Sequence, residues 1–388
     1  MKKFLCCIMA VATLASCSKN EVNDTELIPL DFDSYTLRNA KGSGNGNDWI
    51  PTKAGSSFVD SGQTHLPDGS SFGVFGFFHP QVGDAAGSWG DANPNHPNVM
   101  NNQKVDVSES AGVYTCTYTP RRFWSKNSKE TISFFAYYPY DAGGTGYTIK
   151  SDLTKDSDGM GTLRFRCSED YTEQVDFMVS DLCMNQTKPG GVLTGSAGTG
   201  DAGKVRFTFH HQLAQVRVNT ISVTSENPLI TPDAGTFECA FYGLPVAGNC
   251  VPTPGAPGAG GLAPCTFSWT SISSSVEELV GGNVVVRDSK MEVPQYTPGS
   301  SNFLLVIPHT VSETERLEVS FDLDRSTTGN EGYSYGGNSL FAYLKGKIST
   351  FEANKIYTFN ITVGLNEIKF DAEVTDWTEG SGQILLGD

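Results

Sequence analysis

Apolar and polar residues alternate at every second position through much of this sequence of 388 residues. The pattern is clearest in residues 204–210, 317–324, 357–363 and 367–374. Because successive side chains of an extended strand point to opposite faces, a period of two predicts a strand with one buried face. One short helix is predicted over residues 273–280. Such a density of strands indicates an all-β chain built of β-sandwiches.

The parity of the apolar positions changes in the middle of the chain. Inward residues are odd-numbered as far as Phe209 but even-numbered at Val216 and Val218. A slip of one residue moves every side chain to the other face, so the chain must bulge or change sheets between residues 210 and 214. We place a domain boundary at this point. The predicted domains are an N-terminal sandwich over 54–212 and a C-terminal sandwich over 213–388.

The N-terminus is predicted to be a targeting segment. Lys2 and Lys3 precede an apolar stretch of about 11 residues that ends at Leu14, well short of the roughly 20 residues that span a bilayer. The stretch ends in Leu-Ala-Ser-Cys, which resembles the lipobox of bacterial lipoproteins. The resemblance implies a lipoprotein signal peptide over residues 1–16 and a lipid on Cys17, which would anchor the chain to a membrane.

Cysteines are the next constraint, because six of them remain after the signal peptide and Cys17. An even number in an oxidising compartment permits up to three disulfides, with fifteen pairings that stay open. No Cys-x-x-Cys spacing occurs, so a zinc ribbon is not expected. The six residues are Cys116, Cys167, Cys183, Cys239, Cys250 and Cys265.

Motifs for catalysis, metal binding or nucleic-acid binding find little support. A net charge of −16 argues against a nucleic-acid surface, which needs a basic face. The Gly-Ser-Ser-Phe-Gly run at 69–73 lacks the strand and helix that flank a nucleophile elbow, and a turn entering a strand explains it better. His210 and His211 are adjacent in a strand and point to opposite faces, so they are poorly placed to share a metal. No catalytic residue, metal ligand or cofactor is predicted.

Several longer segments together resemble the fimbrillin-like family of Bacteroidetes type V pilins. They follow the family's order over nearly the whole chain and comprise residues 123–139, 175–181, 205–218, 303–310 and 353–377. The resemblance implies two β-sandwich domains with transthyretin-like, Greek-key topology. It also implies a non-enzymatic subunit of surface fimbriae, which begins as an outer-membrane lipoprotein precursor. The implied partners are other fimbrial subunits, the outer membrane through the lipid, and a receptor on a host or bacterial surface.

In this family a trypsin-like protease removes the lipidated N-terminal segment together with the first strand, and a strand from the next subunit fills the groove. Here Ile28, Leu30 and Phe32 form an alternating first strand. Its loss would expose about three buried side chains, worth roughly 1.5–3 kcal/mol each. A Gly/Asn-rich, protease-accessible loop follows the strand. The candidate cleavage sites are after Lys53, which we favour, and after Arg38.

The resemblance therefore makes residues 17–53 a pro-segment, although an anchor subunit would keep this strand and its lipid. The C-terminus beyond Trp377 offers only Ile384-Leu385-Leu386 as a meagre donor strand, which favours a tip or accessory subunit and leaves a stalk subunit open. The alternative function is a surface lipoprotein that does not polymerise and binds glycans. Trp49 and Trp89, in loop-like segments, are its candidate sugar-stacking residues.

Overall fold

The computed structural model describes residues 27–37, 63–90, 97–141, 148–152, 160–188, 204–224, 230–258, 261–298, 300–325 and 333–377. Within these ranges the regular structure consists of β-strands and two 3₁₀ turns, Tyr171–Glu173 and Ala234–Thr236, with no α-helix. The prediction of an all-β chain is confirmed.

The strands are numbered in chain order. They are β1 (Asp31–Leu37), β2 (Gln63–His65), β3 (Ser71–His79), β4 (Met100–Ser110), β5 (Val113–Thr117), β6 (Thr131–Tyr138), β7 (Thr148–Asp152), β8 (Thr162–Arg166), β9 (Met178–Ser180), β10 (Leu182–Gln186), β11 (Lys204–His211), β12 (Ala214–Val223), β13 (Ile230–Pro232), β14 (Glu238–Tyr242), β15 (Ala247–Pro254), β16 (Leu262–Ala263), β17 (Cys265–Ser273), β18 (Ser275–Val280), β19 (Asn283–Asp288), β20 (Lys290–Val293), β21 (Leu304–Val306), β22 (His309–Thr310), β23 (Arg316–Arg325), β24 (Tyr333–Tyr343), β25 (Thr350–Phe351), β26 (Lys355–Val363) and β27 (Ile368–Asp376).

The largest sheet has ten strands in the order β2-β1-β11-β9-β6-β3-β4-β5, with β10 pairing with β6 and β16. Strand β6 lies in its middle, and all eight of its residues are buried. The sheet is rolled, because β5 at one end approaches β1 near the other, and the ring of His65 on β2 stacks on Tyr114 of β5 with centroids 4.1 Å apart. The roll encloses a core on its inner face.

The smaller sheets are of four, five and two strands. Their orders are β21-β12-β26-β27, β17-β15-β8-β7, and β13-β23-β14-β20 with β24 on the far side of β23, besides the pairs β18-β19 and β22-β25. Strands β26 and β27 form an antiparallel hairpin across residues 364–367. This hairpin confirms the turn that the sequence predicts between its last two alternating runs.

Three hydrophobic cores separate the layers. One lies inside the rolled sheet and contains Phe32, Phe134 and Phe207. A second covers the opposite face of that sheet, where Phe75 and Phe135 meet residues of β8 and β21. A third lies between the sheet of β12 and the sheet of β23. The alternation of each strand thus assigns its two faces to different cores or to solvent.

The four strongest alternating runs all form strands, namely β11, β23, β26 and β27. The predicted helix over residues 273–280 is wrong, because these residues end β17 and form β18. Strand β18 pairs with β19 across Gly281 and Gly282, which both have positive φ. The tight type I′ hairpin turn requires two consecutive residues with positive φ. The Gly281-Gly282 turn therefore favours a β-hairpin here over the predicted helix.

The chain changes sheets where the parity of its apolar residues changes. Strand β11 ends at His211 in the ten-stranded sheet, and β12 begins at Ala214 in the four-stranded sheet. Hydrogen bonding also crosses this point, since β8 pairs with β15 and brings Leu163 opposite Cys250. The exchange of sheets at 212–213 and the shared sheet of β8 and β15 are both features of the fold.

The six cysteines downstream of Cys17 fall within the described residues, and each is a free thiol. The expectation of up to three disulfides is therefore not met. The thiols are divided among the cores, with Cys116 and Cys183 in the rolled sheet, Cys167 and Cys250 on its other face, and Cys239 in the third core. Burial raises the pKa of Cys239 to about 12.

Candidate functional site: the first strand and its groove

The first strand lies between two neighbours that come from distant parts of the chain. It runs parallel to β11, with Phe32 opposite Val205, and antiparallel to β2, with Tyr35 opposite His65. Parallel partners cannot be joined by a tight turn, so the pairing of β1 with β11 depends on tertiary structure alone. The segment that joins β1 to β2 contains Arg38 and Lys53.

The inner face of β1 is anchored by aromatic packing. Leu30 and Phe32 are fully buried, and the Phe32 ring lies 5.5 Å from Tyr118, 5.6 Å from Phe134 and 5.5 Å from Phe207, centroid to centroid. The Tyr118 hydroxyl donates a 2.8 Å hydrogen bond to the Leu30 carbonyl. Each of the two side chains contributes roughly 1.5–3 kcal/mol by leaving water.

Ile28 does not share this face, which corrects the predicted trio of buried residues. Its side chain is 39% exposed, and the ladder with β11 begins only at Asp31. Residues 28–30 instead pair with residues 122–124, where the Trp124 amide donates to the Ile28 carbonyl and the Leu30 amide donates to the Arg122 carbonyl, both at 2.9 Å. The pairing partner therefore changes between Leu30 and Asp31, and the buried face of β1 does not extend to Ile28.

The outer face of β1 is acidic and meets basic side chains. Asp31 lies 3.2 Å from the guanidinium of Arg121, and Asp33 lies 3.0 Å from Lys204 Nζ and 4.0 Å from Arg206 Nε. The side chain of Asp33 is only 11% exposed. The Asp33 ion pairs join β1 to β11, and the Asp31 ion pair joins β1 to the segment that follows β5, on the face opposite the aromatic anchor.

The raised pKa values of Cys116 and Tyr35 show that the surroundings of β1 are enclosed. Burial, with the Asp33 carboxylate as the next cause, raises the pKa of the Cys116 thiol on β5 to about 12. The same two causes raise the pKa of Tyr35 to about 12. The Ser34 side chain of β1 hydrogen-bonds to Cys116 and acts in the opposite direction. Strand β1 therefore covers Cys116 directly.

The other predicted site residues fall in two groups. Cys17, Arg38, Lys53 and Trp49 lie outside the described residues. Trp89 is wrong as an exposed sugar-stacking residue, because it is buried and its ring meets Phe77 edge-on at 5.1 Å.

The remaining chemistry is sparse in the described part of the chain. It brings together no cluster of three metal-ligating side chains. It also contains no helix long and apolar enough to cross a membrane. His211 is buried against Asp176 at 2.6 Å, and His210 is partly exposed. The two rings thus follow the opposite faces that their adjacency predicts.

Comparison with known proteins decides the family. The sequence pattern of the fimbrillin-like family matches residues 68–377, which is most of the chain. The chain belongs to the fimbrillin-like family. The match begins after β1 and β2, so the first strand and its edge neighbour lie outside it.

This fimbrillin-like chain is similar to a curated fimbrium subunit in sequence and to solved fimbrial proteins in structure. Fimbrium subunit Fim1C of Phocaeicola vulgatus is 28% identical over 225 residues, which cover 55% of this chain and 50% of that protein. The chain thus matches about half the length of this curated relative. A fimbrial protein from Bacteroides vulgatus has 19% identity and a TM-score of 0.45, covering 79% of this chain and 93% of that one. A fimbrillin from Porphyromonas gingivalis has 8% identity and a TM-score of 0.40, covering 90% and 98%.

Sequence reasoning missed the basic partners of β1. The signal was present, because Lys204 and Arg206 occupy the outward positions of β11 just as Asp31 and Asp33 occupy those of β1. Opposite charges at the same spacing of two residues are typical of cross-strand pairs. The parallel pairing of the two strands was needed to bring them together.

Proposed function

We propose that this fimbrillin-like chain is a structural subunit of a cell-surface fimbrium, assembled by strand donation and serving adhesion. The observation that carries the proposal is the placement of β1 between β11 and β2. Leu30 and Phe32 hold the strand there, and residues 38–62 are its covalent connection to β2 and the rest of the chain. Removal of β1 would leave a hydrophobic groove and unpaired backbone groups along β11, which an added strand can satisfy.

Proteolysis and lipidation complete the proposal. Cys17 would hold an outer-membrane precursor, and a protease would cut after Lys53 or Arg38. Both residues lie between β1 and β2, so either cut separates the lipid and β1 from everything downstream. The mature protein would then leave the membrane for the fimbrium as a tip, accessory or stalk subunit.

The proposed body has two β-sandwich domains of transthyretin-like topology, over residues 54–212 and 213–388. The change of sheet between β11 and β12 supports the division. The hydrogen bonds between β8 and β15 cross it, so the proposed domains would share the sheet of those strands. The proposal assigns no catalytic role to either domain and no cofactor.

The test is limited digestion of the full precursor with trypsin, followed by N-terminal sequencing and size measurement. We expect a new N-terminus at residue 39 or 54, followed by protease-resistant multimers. The matched control, Arg38→Gln with Lys41→Gln and Lys53→Gln, has no trypsin site left between β1 and β2, so it should keep β1 in the same chain as the rest of the protein and stay monomeric. A digested chain that still begins at Cys17, or a cut chain that never associates, would overturn the proposal.

A second candidate function, glycan binding without polymerisation, has one observation in its favour. Phe341 and Tyr343 on the outermost strand β24 are 54% and 52% exposed. Arg316 lies beside them, opposite Tyr343 in the ladder and with its guanidinium 5.8 Å from the ring centroid of Phe341. Exposed aromatic rings next to polar groups are suited to stacking on sugar rings. A glycan array would favour this candidate if Tyr343→Ala lost a signal that the uncleaved, monomeric chain gives.

A further inference from the structure

We propose that the groove under β1 selects its donor strand by charge, accepting a strand of another fimbrial subunit that carries carboxylates at two outward positions two residues apart. This inference rests on the proposed function. It adds to strand donation a rule for which strands are accepted, and it assigns that rule to Lys204, Arg206 and Arg121.

The register of β1 fixes the positions. Asp31 is opposite Lys204 and Asp33 is opposite Arg206 in the parallel ladder, and Arg121 approaches Asp31 from outside the sheet. A donor strand that replaces β1 in the same plane would place its alternate side chains at these two positions, because the side-chain period of a strand is two. Its other face would enter the aromatic core.

The low exposure of the cations makes the carboxylates matter. The side chains of Lys204 and Arg206 are 30% and 17% exposed, and that of Asp33 is 11% exposed. Loss of β1 removes the Asp33 carboxylate from beside both of these cations and the Asp31 carboxylate from beside Arg121. A donor with amide or basic side chains at the two positions would leave partly buried cations without that compensation, which is costly when water is largely excluded.

Shape alone would give weak selection in this groove. An inward face of Leu and Phe can be met by many apolar strands, and most strands of this protein carry such a face. Specific pairing generally combines attraction for the right partner with a penalty for the wrong one. The basic positions supply the penalty here, in a chain whose net charge is −16. An acidic–apolar strand is therefore the fitting occupant.

The chain offers its own acidic–apolar strand as a probe. In β27, Phe370 and Ala372 alternate with the exposed acids Asp371 and Glu373. This arrangement repeats the order apolar, acid, apolar, acid that β1 shows from Leu30 to Asp33. A peptide of residues 368–377 should therefore compete for the groove, although β27 in the intact chain is paired with β26.

The experiment measures binding of labelled peptides to the trypsin-cut full chain by fluorescence anisotropy. The reference peptide has the sequence of residues 28–37, and its partner carries Asp31→Asn and Asp33→Asn. We expect the amide peptide to bind about tenfold or more weakly, because it offers no charge to the cations. Added salt should weaken the reference peptide more than the amide peptide. The 368–377 peptide should displace the reference peptide.

A charge swap gives the sharper result. The chain with Lys204→Glu, Arg206→Glu and Arg121→Glu should reverse the preference and favour a peptide with lysine at positions 31 and 33, since the coupling belongs to the pair. If that chain does not fold, the chain with Lys204→Gln, Arg206→Gln and Arg121→Gln should bind the acidic and amide peptides equally well. Equal binding of both peptides to the wild-type chain would overturn charge selection but leave strand donation standing. Failure of every peptide to bind the cut chain would overturn strand donation itself.

Discussion

Strands β1 and β27 share one sequence pattern but differ in how the fold holds them. Both alternate apolar residues with acids, as in Leu30-Asp31-Phe32-Asp33 and Phe370-Asp371-Ala372-Glu373. Strand β1 has neighbours on both sides, and its main partner β11 is distant in sequence. Among the described strands, β27 pairs with β26 alone, across a short turn. The pattern determines which face is buried. It does not determine whether a strand is local or separable.

The difference has an energetic consequence. A hairpin strand such as β27 closes a short loop and stays tethered to its partner whenever it opens. A cut in residues 38–62 would turn β1 into a separate chain, bound only by its own contacts with the groove. The same inward apolar side chains therefore support a permanent edge strand in one place and an exchangeable strand in the other.

The largest predicted effect comes from the aromatic anchor of β1. Phe32→Ala should lower the free energy of unfolding by about 3–5 kcal/mol, because it leaves a cavity among Tyr118, Phe134 and Phe207. Urea denaturation of the intact precursor measures the loss. Val374→Ala in β27, where the side chain is 51% exposed, is the control and should change the free energy by less than about 1 kcal/mol. Equal losses would remove the distinction between the strands.

Sequence patterns predict local features of this comparison well. The strands from Lys204 to His211 and from Ile368 to Asp376 follow from alternation alone, because a half-buried strand imposes its period on the residues that form it. The change of sheet after β11 follows from parity for the same reason. Sequence patterns fail at β18, since the hairpin turn at Gly281-Gly282 and its valine-rich partner β19 outweigh any helical preference of residues 275–280.

The candidate site was only half predictable. Leu30 and Phe32 were expected to be buried and are, whereas Ile28 has the right parity but is 39% exposed. The pairing partner changes between Leu30 and Asp31, from residues 122–124 to β11, and periodicity contains no record of this tertiary effect. The cations Lys204 and Arg206 join the site through the parallel pairing of β1 with β11, two strands that are separated by most of the N-terminal half of the sequence. No local pattern reports such a pairing.

The second predicted effect uses Cys116 as a reporter of the groove. Burial under β1 and the Asp33 carboxylate both raise its pKa, so departure of β1 should lower the pKa towards the ordinary thiol value. Loss of the Ser34 hydrogen bond acts in the opposite direction but is the smaller cause. Alkylation of Cys116 by iodoacetamide at pH 8 should become about a hundredfold faster once the cut strand is displaced, because the thiolate is the reactive form.

Cys239 is the matched control for this measurement. It is also buried with a pKa of about 12, but it lies in the third core, to which β27 contributes Ile368 and Phe370. Its alkylation rate, read by mass spectrometry of the same sample, should not change. Parallel acceleration of both thiols would mean general unfolding, and an unchanged Cys116 after loss of the strand would contradict its position under β1.

The third predicted effect concerns the acids of the two strands. Asp33→Asn should destabilise the intact chain by about 1–3 kcal/mol, because it removes a largely buried carboxylate from Lys204 and Arg206. Glu373→Gln in β27 should lie within about 0.5 kcal/mol of wild type, since that side chain is exposed. Chemical denaturation at neutral pH compares them. A loss at Glu373 as large as at Asp33 would show that the acids of β27 are equally engaged.

The smallest predicted effect tests where β1 begins. Ile28→Ala should cost less than about 1 kcal/mol because the side chain is already 39% exposed, whereas Leu30→Ala should cost about 2–5 kcal/mol because the side chain is fully buried. The urea midpoints of the two variants, converted with one common dependence of the unfolding free energy on urea concentration, give the two losses of stability. A loss of stability at Ile28 equal to that at Leu30 would mean that Ile28 belongs to the buried face of β1, as the alternating sequence predicts. The expected difference instead limits the aromatic anchor to Leu30 and Phe32, so a donor strand needs only two inward apolar residues to replace β1 within the core.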